Sequence, residues 1–527
     1  MPVQEETPVL IAGGGLVGLS MAMFLAGRGI SSMAVERLKT PSTLPRAAFF
    51  HMRTFELFRQ AGLEEQVREQ SIKEFTPDGA IVGVESLAGK ELAAFIPSLN
   101  EGVEALSPCR RWFVSQPGLE PILRRRAEEV GATLVNGQEV VAAAQDKDGV
   151  TATLRDVDSG AERQIRAGYL VAAEGAHSRI RDQLGITMDG RGVFSNSITI
   201  YFRADLAPFL VGRNLSIIYI NNPVLGGFFR LEKTSQRGFL VVNTVGDPLA
   251  DPEGAANAAA DISEARLIEL VRAAAGDPDL KVEIEGVSRW RAVSDVASRF
   301  QDGRIFLIGD SAHLMPPNGG FGGNTGIHDA HNLAWKLAMV LNGEADPALL
   351  DSYEPERRPV GRFTVDQAYA RYVTRTAAYL GAKDAPPYMD DFQIELGYLY
   401  RSGAVATEPG ALDEQWDPRE SFGRPGSRAP HLWLQHDGRK VSSLDLVGDG
   451  FTLLAAHEGG AWIDAARGGP VTVRVIDDPK FAEAYGLGPS GASLIRPDGF
   501  VAWRAPSLPA DPAGELTRAL AAVLGRA

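Results

Sequence analysis

The tightest constraint on this fold lies in the first forty residues. Val9-Leu10-Ile11-Ala12 is a short apolar run that ends in Gly13-Gly14-Gly15. Such a run, bounded by glycine, predicts a buried parallel strand entering a tight turn. Leu16, Leu19, Met23 and Leu25 then recur as on a helix packed against a sheet, and Met33-Ala34-Val35 makes a second strand. Gly13-x-Gly15-x-x-Gly18 therefore sits inside a βαβ unit, where its glycines have separate tasks. The first makes the turn, the second lets the backbone approach a pyrophosphate, and the third lets helix and strand pack closely. The helix N-terminus presents amides to the phosphates. Glu36 ends the second strand, 18 residues after Gly18, where a carboxylate can accept hydrogen bonds from an adenosine ribose. Leu16, Val17 and Arg37 complete the candidate dinucleotide contacts at this end. A second match, Gly486-x-Gly488-x-x-Gly491, contains Pro489 and runs into the strand-like Ala492–Ile495 rather than a helix. One dinucleotide fold is expected.

Composition removes several function classes. The 527 residues include 53 basic and 67 acidic side chains, a net charge of −14. That argues against binding a nucleic-acid backbone or an anionic membrane surface. The single cysteine, Cys109, excludes an internal disulfide and any CxxC redox or zinc site. No stretch approaches the ~18 apolar residues of a membrane span. The acidic start, Met-Pro-Val-Gln-Glu-Glu, is unlike a signal peptide. A cytoplasmic protein is expected.

Farther along, residues 115–131 read as an amphipathic helix. Ser197–Asp205, Leu215–Asn221, Gly226–Glu232 and Gly238–Thr244 alternate or run apolar between turn signals, which predicts an antiparallel sheet. The α/β pattern returns at Arg304–Ile308. Gly309-Asp310 closes that strand, placing Asp310 within reach of a ribityl hydroxyl. Pro316-Pro317 stiffens the next turn, and Gly319, Gly320, Gly322 and Gly323 allow backbone to approach a flat ligand. Asn324-Thr325-Gly326 then opens a helix expected from about Ile327 to Leu341, whose dipole favours negative charge on the ligand's edge by about 1 kcal/mol. His328 and His331 share that helix without an evident third metal ligand, so no metal site is expected. Arg124-Arg125-Arg126 reads as a solvated helix face. Residues 401–425, rich in Gly, Pro and acidic side chains, look like a linker. Beyond them, strand-like Phe451–Ala455, Val471–Ile476 and Ser493–Ile495 precede a closing helix.

Taken with Asp329-Ala330-x-Asn332-Leu333-x-Trp335-Lys336-Leu337, these motifs resemble the single-component FAD-dependent aromatic hydroxylases of the p-hydroxybenzoate hydroxylase fold. The branch acting on polycyclic aromatic polyketides is the most similar. The resemblance covers nearly the whole chain. It implies an α/β (α+β overall) architecture with a Rossmann-like FAD-binding domain, an inserted antiparallel substrate domain and a C-terminal thioredoxin-like domain. The expected boundaries are 1–73, 104–184 and 294–400 for FAD; 74–103 and 185–293 for substrate; 401–425 for the linker; and 426–527 for the last domain. Gly13, Gly15, Gly18, Glu36, Gln116, Asp310 and the Gly322-Gly323-Asn324 backbone match the family's FAD contacts, with Pro317 and Gly320 beside them. Arg46 falls where the family places an arginine near the flavin, suited to an electrostatic role because its charge cannot be titrated away. The family's Asp-Gly is Glu174-Gly175 here, which keeps the charge and adds a methylene.

The resemblance further implies FAD as cofactor, NADPH or NADH as transient reductant, and O2 delivered to an aromatic ring through a flavin C4a-hydroperoxide. Water must be excluded from such chemistry. Tyr219 and Phe229 on the antiparallel sheet, and Arg371 one helical turn after Gln367, are the candidate substrate contacts. A Baeyer–Villiger, epoxidising or antibiotic-inactivating relative would share every motif, and a non-catalytic flavin-binding protein is the alternative from another class. A flavin halogenase is disfavoured because no Trp-x-Trp-x-Ile-Pro occurs. The expected partners are a small aromatic substrate and O2, with no nucleic acid or membrane, in a monomer or homodimer.

Overall fold

The computed structural model describes residues 5–40, 48–377, 385–408, 417–436 and 438–526. Strand Glu5–Ala12 pairs in parallel with Ser32–Glu36 on one side and Glu162–Ala172 on the other. Thr133–Asn136 and Ile305–Leu307 extend this parallel set outward. A hairpin of Gln138–Gln145 and Val150–Asp156 runs antiparallel against the Glu162 strand. Val9, Leu10 and Ile11 are fully buried, as expected where helices cover both faces of a parallel sheet. Leu16–Ala26 packs against both Gln116–Glu129 and Phe321–Leu341.

A second sheet draws its strands from distant parts of the chain, in the order His313–Leu314, Glu283–Ala297, Met188–Arg203, Arg237–Val245, Leu225–Leu231, Leu215–Asn221, Ala80–Val84, Glu91–Ile96. Its two faces have different partners. One face, with Ile200, Ile218, Phe229 and Leu240, is sealed by helix Glu264–Ala275. The other carries Tyr219, Phe228 and Val241 and packs against Phe75, Phe113 and Phe49 from the first domain. Alternation along each strand makes this division.

The third unit is a four-stranded sheet in thioredoxin-like order, Val471–Val475, Phe451–Ala455, Ala492–Ile495, Val501–Ala505, with Pro512–Val523 closing it. It is welded to the first domain. Trp335 and Met339 share a core with Phe451, Leu453 and Leu494. At the seam, buried Glu356 accepts two bonds from Arg496 at 2.6 and 2.8 Å, one from Lys336 Nζ at 2.8 Å, and others from Asn332 and Ser402. Asp498 takes the remaining edge of Arg496 and the Trp335 indole N–H at 3.1 Å. A second lock is Glu56, held by Arg53 at 2.9 Å and by the C-terminal unit's Arg428 at 2.9 Å. Among the described residues no helix is long and apolar enough to cross a membrane.

Three differences from the sequence expectations have physical causes. The expected helix from Ile327 begins at Phe321 instead. Gly320, at φ +70°, turns the chain into the helix, so Gly322 and Gly323 become its first turn despite their poor propensity. The expected linker is partly packed: Ala406 N bonds Ala502 O at 2.8 Å and Arg504 pairs with Glu408 at 2.7 Å, while residues 409–416 lie outside the described residues. The last strand, Val501–Ala505, lay unread in the sequence, because Trp503-Arg504 interrupts its apolar pattern.

Removing one partner of a fully buried ion pair leaves an uncompensated charge, at a cost of about 3–5 kcal/mol. Glu356→Ala should therefore lower the thermal midpoint sharply, which calorimetry will measure. Acid sensitivity should come from Glu56. Burial alone would raise its carboxyl, but Arg428 and Arg53 outweigh burial and hold it down to about 2 from its ordinary 4.5. A carboxylate depressed on folding stabilises above its unfolded pKa, so this contribution is complete above pH ~4.5 and lost as pH falls toward ~2. Urea midpoints measured across that window should fall more steeply for wild type than for Glu56→Gln.

Candidate functional site

The glycine turn after the first strand is built as its spacing predicts. Gly13 has φ +109°, and a Cβ there would lie 2.2 Å from the Ala173 carbonyl oxygen. A Cβ on Gly18 would lie 1.9 Å from the Gly13 oxygen, so the helix can approach the strand only with glycine here. At Gly15 the nearest atom is Glu120 Oε1 at 3.9 Å, which leaves that side open beside the helix N-terminus. Glu36 Oε2 accepts from Gly14 N and Oε1 from Leu38 N, both at 2.8 Å. Each oxygen keeps a lone pair for a sugar hydroxyl. Arg37 is exposed just beyond. Gln116 Nε2 bonds Glu120 Oε1 at 2.6 Å, and burial raises the Glu120 carboxyl above its usual range.

The second glycine segment meets the first through Val17. Cβ atoms on Gly309 and Gly326 would lie 3.1 and 2.5 Å from Val17 Cγ2, so the valine wedges between strand end and helix. Asp329 pins the same turn, accepting from Gly309 N at 3.1 Å, His313 Nε2 at 2.7 Å and Arg357 Nε at 2.7 Å. Asp310 stands exposed in this turn, its Oδ1 4.0 Å from where a Gly322 Cβ would be. Gly320 N bonds the oxygen of exposed Pro317 at 3.0 Å. Among the described residues, neither the amide oxygen nor the amide nitrogen of buried Asn318 has a partner. Asn324 turns its side chain away from the cradle. It accepts from His51 N at 3.0 Å and Thr54 Oγ1 at 2.6 Å, and donates to Phe49 O and Gly320 O. Only its backbone is available to a ligand. The open Gly15 side, the Glu36 lone pairs, the bare first turn at Gly322-Gly323 and the orphaned Asn318 amide together fit FAD.

Facing this cradle is the aromatic side of the antiparallel sheet. Tyr219 touches Phe95 and Phe228, each with ring centroids 5.6 Å away. Its hydroxyl accepts from Arg375 Nη1 at 3.4 Å, and Arg375 also bonds the Tyr388 hydroxyl. Burial disfavours the Arg375 charge, but Tyr219, Tyr388 and Asp391 outweigh it, and its pKa is raised. Arg371, one turn earlier, lies over the Phe321 ring at 5.1 Å and bonds Gln367, Met389 O and Asp391. Nη1 and Nη2 are taken by Gln367 and the 389–391 segment, while the buried Nε has no partner among the described residues.

Phe229 departs from expectation. It packs with Phe202 in the core on the opposite face, because strand alternation gives it the reverse direction from Phe228. Glu174 caps a short helix, accepting from Ser178 Oγ at 2.6 Å and Ile180 N at 3.1 Å. Arg46 lies outside the described residues. His328 bonds Thr54 at 3.0 Å and His331 bonds Gln60 at 3.1 Å. Among the described residues no group of three or more metal-ligating side chains occurs. Sequence reasoning passed over Arg375 and Arg230; the i,i+4 spacing from Arg371 and the i,i+2 spacing from Phe228 were the available signals.

Comparison with known proteins agrees with this geometry. A family described as "FAD binding domain" matches residues 6–368, and "Aromatic-ring hydroxylase, C-terminal" matches 423–527. The chain is 52% identical to a 4-methyl-5-nitrocatechol 5-monooxygenase of Burkholderia sp, over 100% of this chain and 99% of that protein. It is 40% identical to a tetracenomycin B2 monooxygenase-dioxygenase of Streptomyces olivaceus, over 99% of both. The crystal structure of aklavinone-11 hydroxylase with FAD and aklavinone superposes with a TM-score of 0.91 at 36% identity, covering 100% of both chains. A likeness that runs through cradle, wall and C-terminal unit alike places the chain in one family: it belongs to the FAD-dependent aromatic-ring hydroxylases, and it is a flavoprotein monooxygenase.

Proposed function

We propose that this monooxygenase uses NAD(P)H and O2 to hydroxylate a phenol held between the Tyr219 wall and the N-terminus of the Phe321 helix. The observation that carries this reading is the buried Tyr219–Arg375 pair, a polar device in a largely apolar wall. Bound FAD would supply the redox chemistry, passing electrons from NAD(P)H to O2, which is the source of the oxygen atom. The chain supplies position and dryness. Gly15, Glu36, Asp310 and the Gly322-Gly323 amides would hold the cofactor. Tyr219, its oxygen accepting from Arg375, keeps its own proton free to donate to a substrate oxygen. The Arg375 charge then favours the phenolate, whose ring is the better nucleophile. Phe95, Phe228 and Phe239 exclude water that would divert the reaction.

Substrate size divides two readings. A single-ring catechol is favoured by the close mutual packing of the wall, where Tyr219 is 2% and Phe228 8% exposed, and by the nitrocatechol-acting relative. A fused-ring polyketide phenol is favoured by the full-length match to the aklavinone complex.

Anaerobic stopped-flow reduction by NADPH separates the two. Acceleration by 4-nitrocatechol and not by hydroxyanthraquinones supports the single-ring reading, the reverse supports the fused-ring one, and no acceleration by either defeats the proposal. Tyr219→Phe should lower the hydroxylation rate by about 100-fold or more while FAD content stays at wild-type level. Product yield per NADPH consumed will show whether uncoupling follows.

A further inference from the structure

Arg230 is a buried cation with an unused edge. It lies in strand Leu225–Leu231, two residues after Phe228 and on the same face. Its guanidinium lies over the rings of both Phe75 and Phe113, with Cζ 3.8 Å from each ring centroid. Phe113 stacks on Phe49 at 4.7 Å, and Phe49 lies against Gly320, where a Cβ would meet its side chain at 3.1 Å. The arginine therefore belongs to the wall that faces the cofactor cradle. Nη1 donates to Ser216 O at 2.6 Å. Nε and Nη2 are buried and have no partner among the described residues. Among the described residues no carboxylate pairs with it: the nearby Glu74 is occupied by Ser115 N at 2.6 Å and Gln70 Nε2 at 2.7 Å. Burial pulls the guanidinium down to about 9, with the Glu74 charge opposing. It remains cationic at neutral pH.

Buried polar groups are nearly always satisfied, so an orphaned charge calls for an explanation. The geometry narrows what could satisfy it. The two phenyl rings, inclined 64° to each other, stabilise the cation and take none of its N–H donors, which leaves the Nε/Nη2 edge unbonded. Nε–H and Nη2–H form a rigid two-donor fork on that edge, matched to two coplanar oxygens.

We propose that Arg230 is a specificity-determining residue whose Nε/Nη2 fork receives the nitro group of a nitrophenolate substrate. This rests on the single-ring reading above and deepens it. In a nitrophenolate the ring's negative charge is delocalised onto the two nitro oxygens, so the fork meets both the shape and the charge. A neutral fused-ring quinone offers no such pair.

The test uses FAD-loaded wild type, Arg230→Met and Arg230→Lys, titrated with 4-nitrocatechol and with 4-methylcatechol as a probe of similar shape lacking the oxygens. Flavin absorbance changes report binding. Arg230→Met should weaken 4-nitrocatechol by about 10- to 100-fold and 4-methylcatechol by less than about threefold. Arg230→Lys, which keeps the charge without the fork, should fall between. Equal weakening of both probes would make Arg230 merely structural and overturn the proposal, as would unchanged 4-nitrocatechol binding. If Arg230→Met fails to retain FAD, Arg230→Lys decides alone, and wild-type discrimination in that variant also overturns it. Wild type that binds neither catechol takes down the single-ring reading and the proposal together, whereas failure in the variants alone leaves that reading standing.

Discussion

One carboxylate holds three parts of this molecule together. Glu356 projects from the Tyr353–Thr376 helix into the buried seam, where it meets a lysine of the Phe321 helix and an arginine of the C-terminal unit. Burial alone would raise its carboxyl, yet Arg496 and Lys336 drive it far below the ordinary range. A charge so placed is tolerable only while every partner is present. The two helices it joins are those that carry the cradle's amides and Arg375. The cofactor-facing geometry is thus fixed by contacts made on the side remote from the chemistry.

The cysteine-free C-terminal unit gains a role from this arrangement. Arg496 and Asp498 grip the Phe321 helix through Glu356, Asn332 and Trp335. Arg428 grips Glu56, on the helix whose start carries Thr54 and His51, both bonded to Asn324. The domain acts as a brace for the cradle rather than as a redox partner.

Much of this was legible in the sequence, and for identifiable reasons. Gly13, Gly18 and Gly320 stand where backbone sterics admit nothing larger, so their spacing carried the fold. Leu215–Asn221 was readable to the residue because its alternation is local. The helix start at Phe321 was not, since glycines 322 and 323 argue against helix until a long packed surface overrides them. Nor could the direction of Phe229 be read from a run of consecutive aromatics, Phe228-Phe229, in which one residue's shift in register exchanges the two faces. Asn324 was read from the sequence for its backbone, but its side-chain bonds to Phe49, His51 and Thr54, some 270 residues earlier, have no local signature.

The two-faced sheet also bears on how such an enzyme can change. Phe228 and Arg230 look toward the cofactor cradle, while Phe229 and Leu231 belong with the core under helix Glu264–Ala275. Neighbouring codons thus answer to different surroundings, one to the aromatic face and the next to the core under the helix. Substitution at alternate positions can alter one face while the hidden face keeps the strand in register.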